Sequence, residues 1–99
     1  PPHAPVLTAA DQLLFDSPPR QTSRDEVLLA FIPFVEQQLR AGVRLSHISR
    51  HILGLYSGEP GARLFRRHIS ENAPRRPGDS GVLYEALALV VAQRERHQR

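Results

Sequence analysis

The sequence predicts an all-α chain, a small antiparallel helical bundle of four to five helices. No stretch of useful length alternates apolar and polar residues as a half-buried strand would. Apolar residues recur instead at three- and four-residue spacing, most clearly at Leu83, Ala86, Leu87, Val90 and Val91. Glycine and proline cluster between these stripes, with Pro33 as the one proline inside a stripe. The chain's 99 residues suffice for one core and not for two. Several short amphipathic stripes in so few residues bury their apolar faces most economically against one another.

Residues 1–5 form a Pro-rich lead-in, and a short helix is expected from about Leu7 to Phe15. Asp16 to Thr22, carrying Pro18-Pro19, reads as a linker. Ser23 then offers a capping oxygen, and Glu26 three residues on completes a capping box. The helix that follows should bury Leu28, Phe31, Ile32, Val35 and Leu39 and stop at Gly42. Pro33 predicts a kink or break, since proline in a helix interior removes a donor and costs about 3 kcal/mol.

Two shorter helical segments come next and meet at Gly58-Glu59-Pro60-Gly61. Pro60 suits the first turn of the second, where its missing N–H would be unpaired in any case. Asn72 to Asp79 is a Pro/Gly loop, and the last helix should start near Ser80. Its end, from Arg94 to Arg99, is polar and expected to fray.

Composition narrows the function. Net charge is only +3, yet all 13 basic residues are arginine. Genomic base composition accounts for part of that preference. Arginine is also the better phosphate ligand, because its planar fork donates two parallel hydrogen bonds. Cysteine is absent, which excludes disulfides, thiolate zinc sites and a cysteine nucleophile within these residues. No apolar run approaches the roughly 20 residues of a membrane span, and the N-terminus lacks a signal peptide's charged and apolar regions. The chain begins Pro-Pro-His and contains no methionine, so a fragment of a larger protein is expected.

Cations gather between Arg44 and Glu71. At 100° per residue, Leu45, Ile48, Ile52, Leu55 and Tyr56 fall on one arc, and Arg44, His47, Arg50, His51 and Gly54 on another. In the next segment Ala62, Phe65 and Ile69 form the apolar side, away from Arg63, Arg66 and Arg67. Glu59 and Glu71 stand only at its ends, and partial pairing with them on a solvated face is the plain alternative. Grouped cations of one sign otherwise suit an anionic partner. Gly54 on the basic arc would let a sugar-phosphate backbone approach, although helix packing explains a glycine there equally well. His47 and His51 have metal-ligand spacing. A zincin helix would need glutamate where Ile48 stands, and no third ligand is evident, so hydrogen bonding or stacking on the basic face is the better reading. Arg75, Arg76, Arg94, Arg96 and Arg99 are expected as solvated loop and tail charges. Asp11, Asp16, Asp25 and Glu26 fit linker and helix-end roles. With no Gly-rich phosphate loop and no nucleophile–base set, no catalytic residue is assigned.

The run Arg50-His51, Gly54-Leu55, Gly58, Pro60-Gly61-Ala62-Arg63, Arg66-Arg67 and Ser70 resembles the C-terminal signature of the A-type tRNA-dihydrouridine synthases. The similarity extends more weakly to Leu13-Leu14-Phe15, which resembles the end of a barrel portion, and to Glu26–Leu39, which resembles a first bundle helix. Phe65 stands where the family pattern has Trp, and Ser46 where it has Asn. The resemblance implies that residues 1–22 are the end of an upstream flavin-binding barrel plus a linker, with Leu7 and Leu13 to Phe15 packed on that barrel. It implies that residues 23–99 are a C-terminal bundle that binds tRNA through Arg44, His47, Arg50, His51, Arg63, Arg66 and Arg67. The parent enzyme would be cytoplasmic and reduce D-loop uridines with FMN and NADPH. Its flavin site and catalytic cysteine would lie upstream, leaving this chain without cofactor, metal or catalytic residue of its own. Two other readings stand beside it. One is a helix-turn-helix DNA binder, disfavoured by arginines on both helices and by the lack of base-reading Asn or Gln on the second. The other is a bundle docking on an acidic protein.

Overall fold

A computed structural model describes residues 21–97, with side chains from Arg24 onward. The helix expected at Leu7–Phe15, and the linker as far as Arg20, lie outside the described residues. Four α-helices follow: α1 Gln21–Arg40, α2 Leu45–Ser49, α3 Ala62–Asn72 and α4 Gly81–His97. A 3-10 turn, Arg50–Ile52, continues α2. No strand occurs among the described residues, so the expected all-α class holds. Compact packing divides the chain into a first unit ending at Phe34 and a second running from Val35 to Arg99.

α1 starts earlier than the sequence signals suggest. Gln21 and Thr22 are already helical, so Ser23 lies inside the helix and not at its N-cap. The helix also runs unbroken through Pro33. Pro33 is exposed, and so is Leu29 one turn earlier, whose carbonyl loses its partner. Solvent can satisfy that carbonyl, which makes the interruption tolerable. In the first unit Leu28 and Ile32 are buried, and the rings of Phe31 and Phe34 lie 5.4 Å apart. Val35 is buried in the second unit.

Gly42 ends α1 as expected. Its φ of 95° is open to glycine and strained for other residues. The N–H of Val43 donates to the Gln38 carbonyl and that of Gly42 to Leu39, each at 3.0 Å, the pair of bonds of a Schellman stop.

The segment read as one helix from Arg44 to Tyr56 is α-helical only as far as Ser49. Beyond it the chain tightens into the 3-10 turn and a series of i→i−3 bonds: Leu55 to Ile52, Ser57 to Gly54, Glu59 to Tyr56 and Ala62 to Glu59. Gly58 and Gly61 supply positive φ values of 83° and 91°. Pro60 precedes the N-cap, Gly61, and so lies outside the first turn of α3 rather than within it.

α3 and α4 run antiparallel. Gly61 at the start of α3 lies against Val90 near the end of α4, while His68 reaches Glu85 near its beginning. Phe65, Ile69, Ala73, Val82, Leu83, Ala86 and Val90 are all buried in this second unit. Tyr56 meets Phe65 edge-on, with centroids 4.8 Å apart. Leu45 and Ile48 of α2 are buried as well, and the Leu45 N–H donates to the Pro77 carbonyl at 2.8 Å. The start of α4 is fixed by Asp79, whose Oδ1 accepts from the Gly81 N–H at 2.7 Å. Ser80 Oγ donates to Glu36 Oε2 at 3.0 Å. The polar end of α4 stays helical as far as His97.

Arg76 departs from its expected role as a solvated loop charge. Its Nη1 and Nη2 donate to the two Glu85 oxygens at 2.7 Å each, and Nε and Nη2 to Asp79 Oδ2 at 3.1 and 2.8 Å. His68 Nε2 completes the group, 2.8 Å from Glu85 Oε1. Arg76, then His68, hold the Glu85 carboxyl down at about 2. Arg76 and the Gly81 N–H also hold Asp79 below the usual range. Both groups are depressed, so their contribution to stability is complete above the ordinary carboxylate pKa. It is lost as pH falls from about 4.5 toward about 2. The melting temperature should decline across that window, and Glu85→Gln should flatten the decline and lower stability at neutral pH. Because the side chains are half-exposed, added salt should shrink the effect. Thermal melts at several pH values check each point.

Candidate nucleic-acid interface

The apolar arc of the Arg44–Tyr56 segment survives its change of helix type. Leu45, Ile48 and Tyr56 are buried, and Ile52 and Leu55 are half-buried. Arg44, His47, Arg50, His51 and Gly54 are all exposed. His47 lies in α2 and His51 in the 3-10 turn, so they do not occupy successive turns of one α-helix. Among the described residues no group of three or more metal-ligating side chains assembles.

On α3, Phe65 and Ile69 face inward and Arg63, Arg66 and Arg67 face solvent. The arginines are not equivalent. Arg67 Nε lies 3.2 Å from Glu71 Oε2 in an exposed i,i+4 pair. Among the described residues, no carboxylate stands within ion-pair distance of Arg44, Arg50, Arg63 or Arg66. Arg63 and Arg66 share a hollow of about 700 Å³ with Ser57, Glu59, Gly61 and Gln93. Arg50 lines a separate hollow of about 210 Å³ between α2 and α3. Arg44, His47, His51 and Arg67 line neither.

The larger hollow opens where the Gly58–Gly61 turn presses on α4. A β-carbon on Gly61 would stand 3.0 Å from the Val90 Cα and 3.4 Å from the Gln93 Cβ. At Gly54 a β-carbon would meet only Ser57 Oγ at 3.5 Å, an ordinary contact. Helix packing therefore does not require glycine at position 54. The lining of the larger hollow contains no aromatic residue, and its charged groups are cationic apart from Glu59.

The chain has relatives among known proteins. The chain is 42% identical over 89 residues to the tRNA-dihydrouridine(20/20a) synthase of Salmonella typhi, covering 90% of this chain and 27% of that protein. The Yersinia pestis protein of the same name is 46% identical over 85 residues, 86% of this chain and 25% of its own length. That of Escherichia coli K12 is 43% identical over 89 residues, 90% of this chain and 26% of its own. The chain is a homologue of the tRNA-dihydrouridine(20/20a) synthases. It spans about a quarter of the length of these relatives. No family model matches it, and no solved structure does.

Within this synthase homologue, sequence reasoning missed the Arg76–Glu85–Asp79 group and the hollow between α2 and α3. Arg76 and Asp79 are three residues apart, a visible pairing signal. Glu85 joins them only because α3 and α4 fold back on each other. No helix among the described residues is long and apolar enough to cross a membrane.

Proposed function

We propose that this chain is the tRNA-positioning domain of a flavin-dependent tRNA-dihydrouridine synthase. The observation that carries the reading is the pair Arg63 and Arg66, exposed in one hollow with no carboxylate partner among the described residues. A solvated surface commonly pairs such charges with neighbours, as Arg67 does with Glu71. Two free guanidinium forks suit phosphate oxygens, and Arg44, Arg50, His47 and His51 extend the basic surface. Gly54, which packing does not require, leaves room for a sugar-phosphate backbone beside it. The names of the relatives specify tRNA.

In this reading residues 1–22 lead out of an upstream flavin-binding barrel and 23–99 form the binding bundle. The barrel, with FMN and NADPH, reduces D-loop uridines in the cytoplasm. The bundle contributes shape and phosphate contacts that hold the tRNA while the target base is presented. Unstacking that base costs a few kcal/mol, which backbone contacts offset. A helix-turn-helix mode is not favoured, because the arginines extend beyond α3 and the helix before it, Leu45–Ser49, is only five residues long.

Titrating an isotope-labelled chain with transcribed tRNA and following its amide resonances tests the surface. Shifts should concentrate at 44–54 and 61–67 and spare 82–91. Shifts centred on 82–91 instead would sink the assignment.

A further inference from the structure

The smaller hollow, between α2 and α3, has a lining unlike the rest of the basic surface. Leu53, Ile69, Ala73 and Pro74 make an apolar floor, and Ser46, Ser49, Ser70 and Arg50 bring the polar groups. Ser49 is the one polar residue buried among those described, only 2% exposed, and it lines this hollow. A serine hydroxyl on such a wall can both donate and accept. Arg50 and Ser70 stand 20 positions apart in the sequence and are brought to the same wall by the packing of α2 on α3.

We infer that this hollow receives a ribose of the bound RNA, its one free hydroxyl, the 2′-hydroxyl, lying between Ser49 and Ser70, accepting from one and donating to the other, and its adjoining phosphate meeting Arg50. The inference rests on the tRNA-binding reading and adds the basis for preferring RNA to DNA. A phosphate seated inside is the poorer fit. The floor is apolar, Pro74 has no N–H to give, and the only cation is at Arg50. A ribose presents a largely carbon face to such a floor. Its 2′-hydroxyl both donates and accepts, as a serine hydroxyl does, and it is the group that distinguishes RNA from DNA.

The test measures affinity for a transcribed tRNA and for the all-2′-deoxy strand of the same sequence. Ser49→Ala and Ser70→Ala should each weaken tRNA binding about three- to tenfold, the worth of one neutral hydrogen bond, and leave the deoxy strand unaffected. Arg50→Ala should weaken both strands alike. Ser70 is exposed, so its variant reports even if Ser49→Ala disturbs folding, which a thermal melt reveals. Serine variants that bind both strands as the parent chain does, or lose both equally, overturn the ribose site while the tRNA reading stands. A parent chain that does not bind tRNA at all overturns both.

Discussion

Replacing Arg63 and Arg66 together with alanine is expected to weaken tRNA binding by about a hundredfold, the scale of two charge-assisted hydrogen bonds lost at once. The salt dependence should change with it. Each phosphate contact contributes about 0.7 to 0.9 to the slope of log affinity against log salt, so the slope should become shallower by roughly 1.5 to 2. Both side chains are exposed, and no carboxylate among the described residues depends on them, so the melting temperature should hardly move. A large drop in melting temperature with unchanged binding would make them structural residues. Arg67→Ala is the internal contrast. Its guanidinium is already engaged with Glu71, so its effect on binding should be smaller than that of either partner.

The largest effect on stability is expected at Gly61. Its φ of +91° is strained for any residue with a side chain, at about 1–2 kcal/mol. A β-carbon there would also press on the Val90 backbone at 3.0 Å, and backbone has little freedom to give way. Gly61→Ala should therefore cost about 2–4 kcal/mol and lower the melting temperature by roughly 10–20 °C. Gly58 separates the two causes. It has a similar φ of +83° but no atom within 4 Å of the added carbon, so Gly58→Ala should show only the conformational part. Equal losses at the two positions would mean that the close approach to α4 carries no weight.

Sequence periodicity was a good guide to which side of each segment is buried. Phe65 and Ile69 in α3, and Leu83, Ala86 and Val90 in α4, lie where a 3.6-residue period puts them. The arc through Leu45, Ile48 and Tyr56 was right for burial, but α geometry holds only as far as Ser49. Over one or two turns, 3-10 and α geometries keep many of the same residues inward, so burial survives an error in pitch. Gly42 was legible because a Schellman stop needs a positive φ, which glycine supplies without strain. Ser23 misled because a good capping sequence does not oblige the helix to start there, and α1 begins two residues earlier.

Tertiary pairing was the part the sequence did not expose. Arg75 and Arg76 look alike in the chain, yet only Arg76 reaches Glu85 across the turn between α3 and α4. Arg63, Arg66 and Arg67 likewise form one basic side on a helical wheel. Only the structure separates the pair in the hollow from the arginine engaged with Glu71. Ser49 gave no signal at all, because a serine in a short amphipathic segment is ordinarily a surface residue.

The most direct test of the central claim titrates the 99-residue chain with transcribed tRNA and with duplex DNA, each at several salt concentrations. With four or five phosphates neutralised, log affinity for tRNA should fall against log salt with a slope of about −3 to −4.5, and tRNA should bind more tightly than DNA throughout. Equal or tighter binding to duplex DNA, or no binding to tRNA at low salt, would contradict a tRNA-positioning role for this domain.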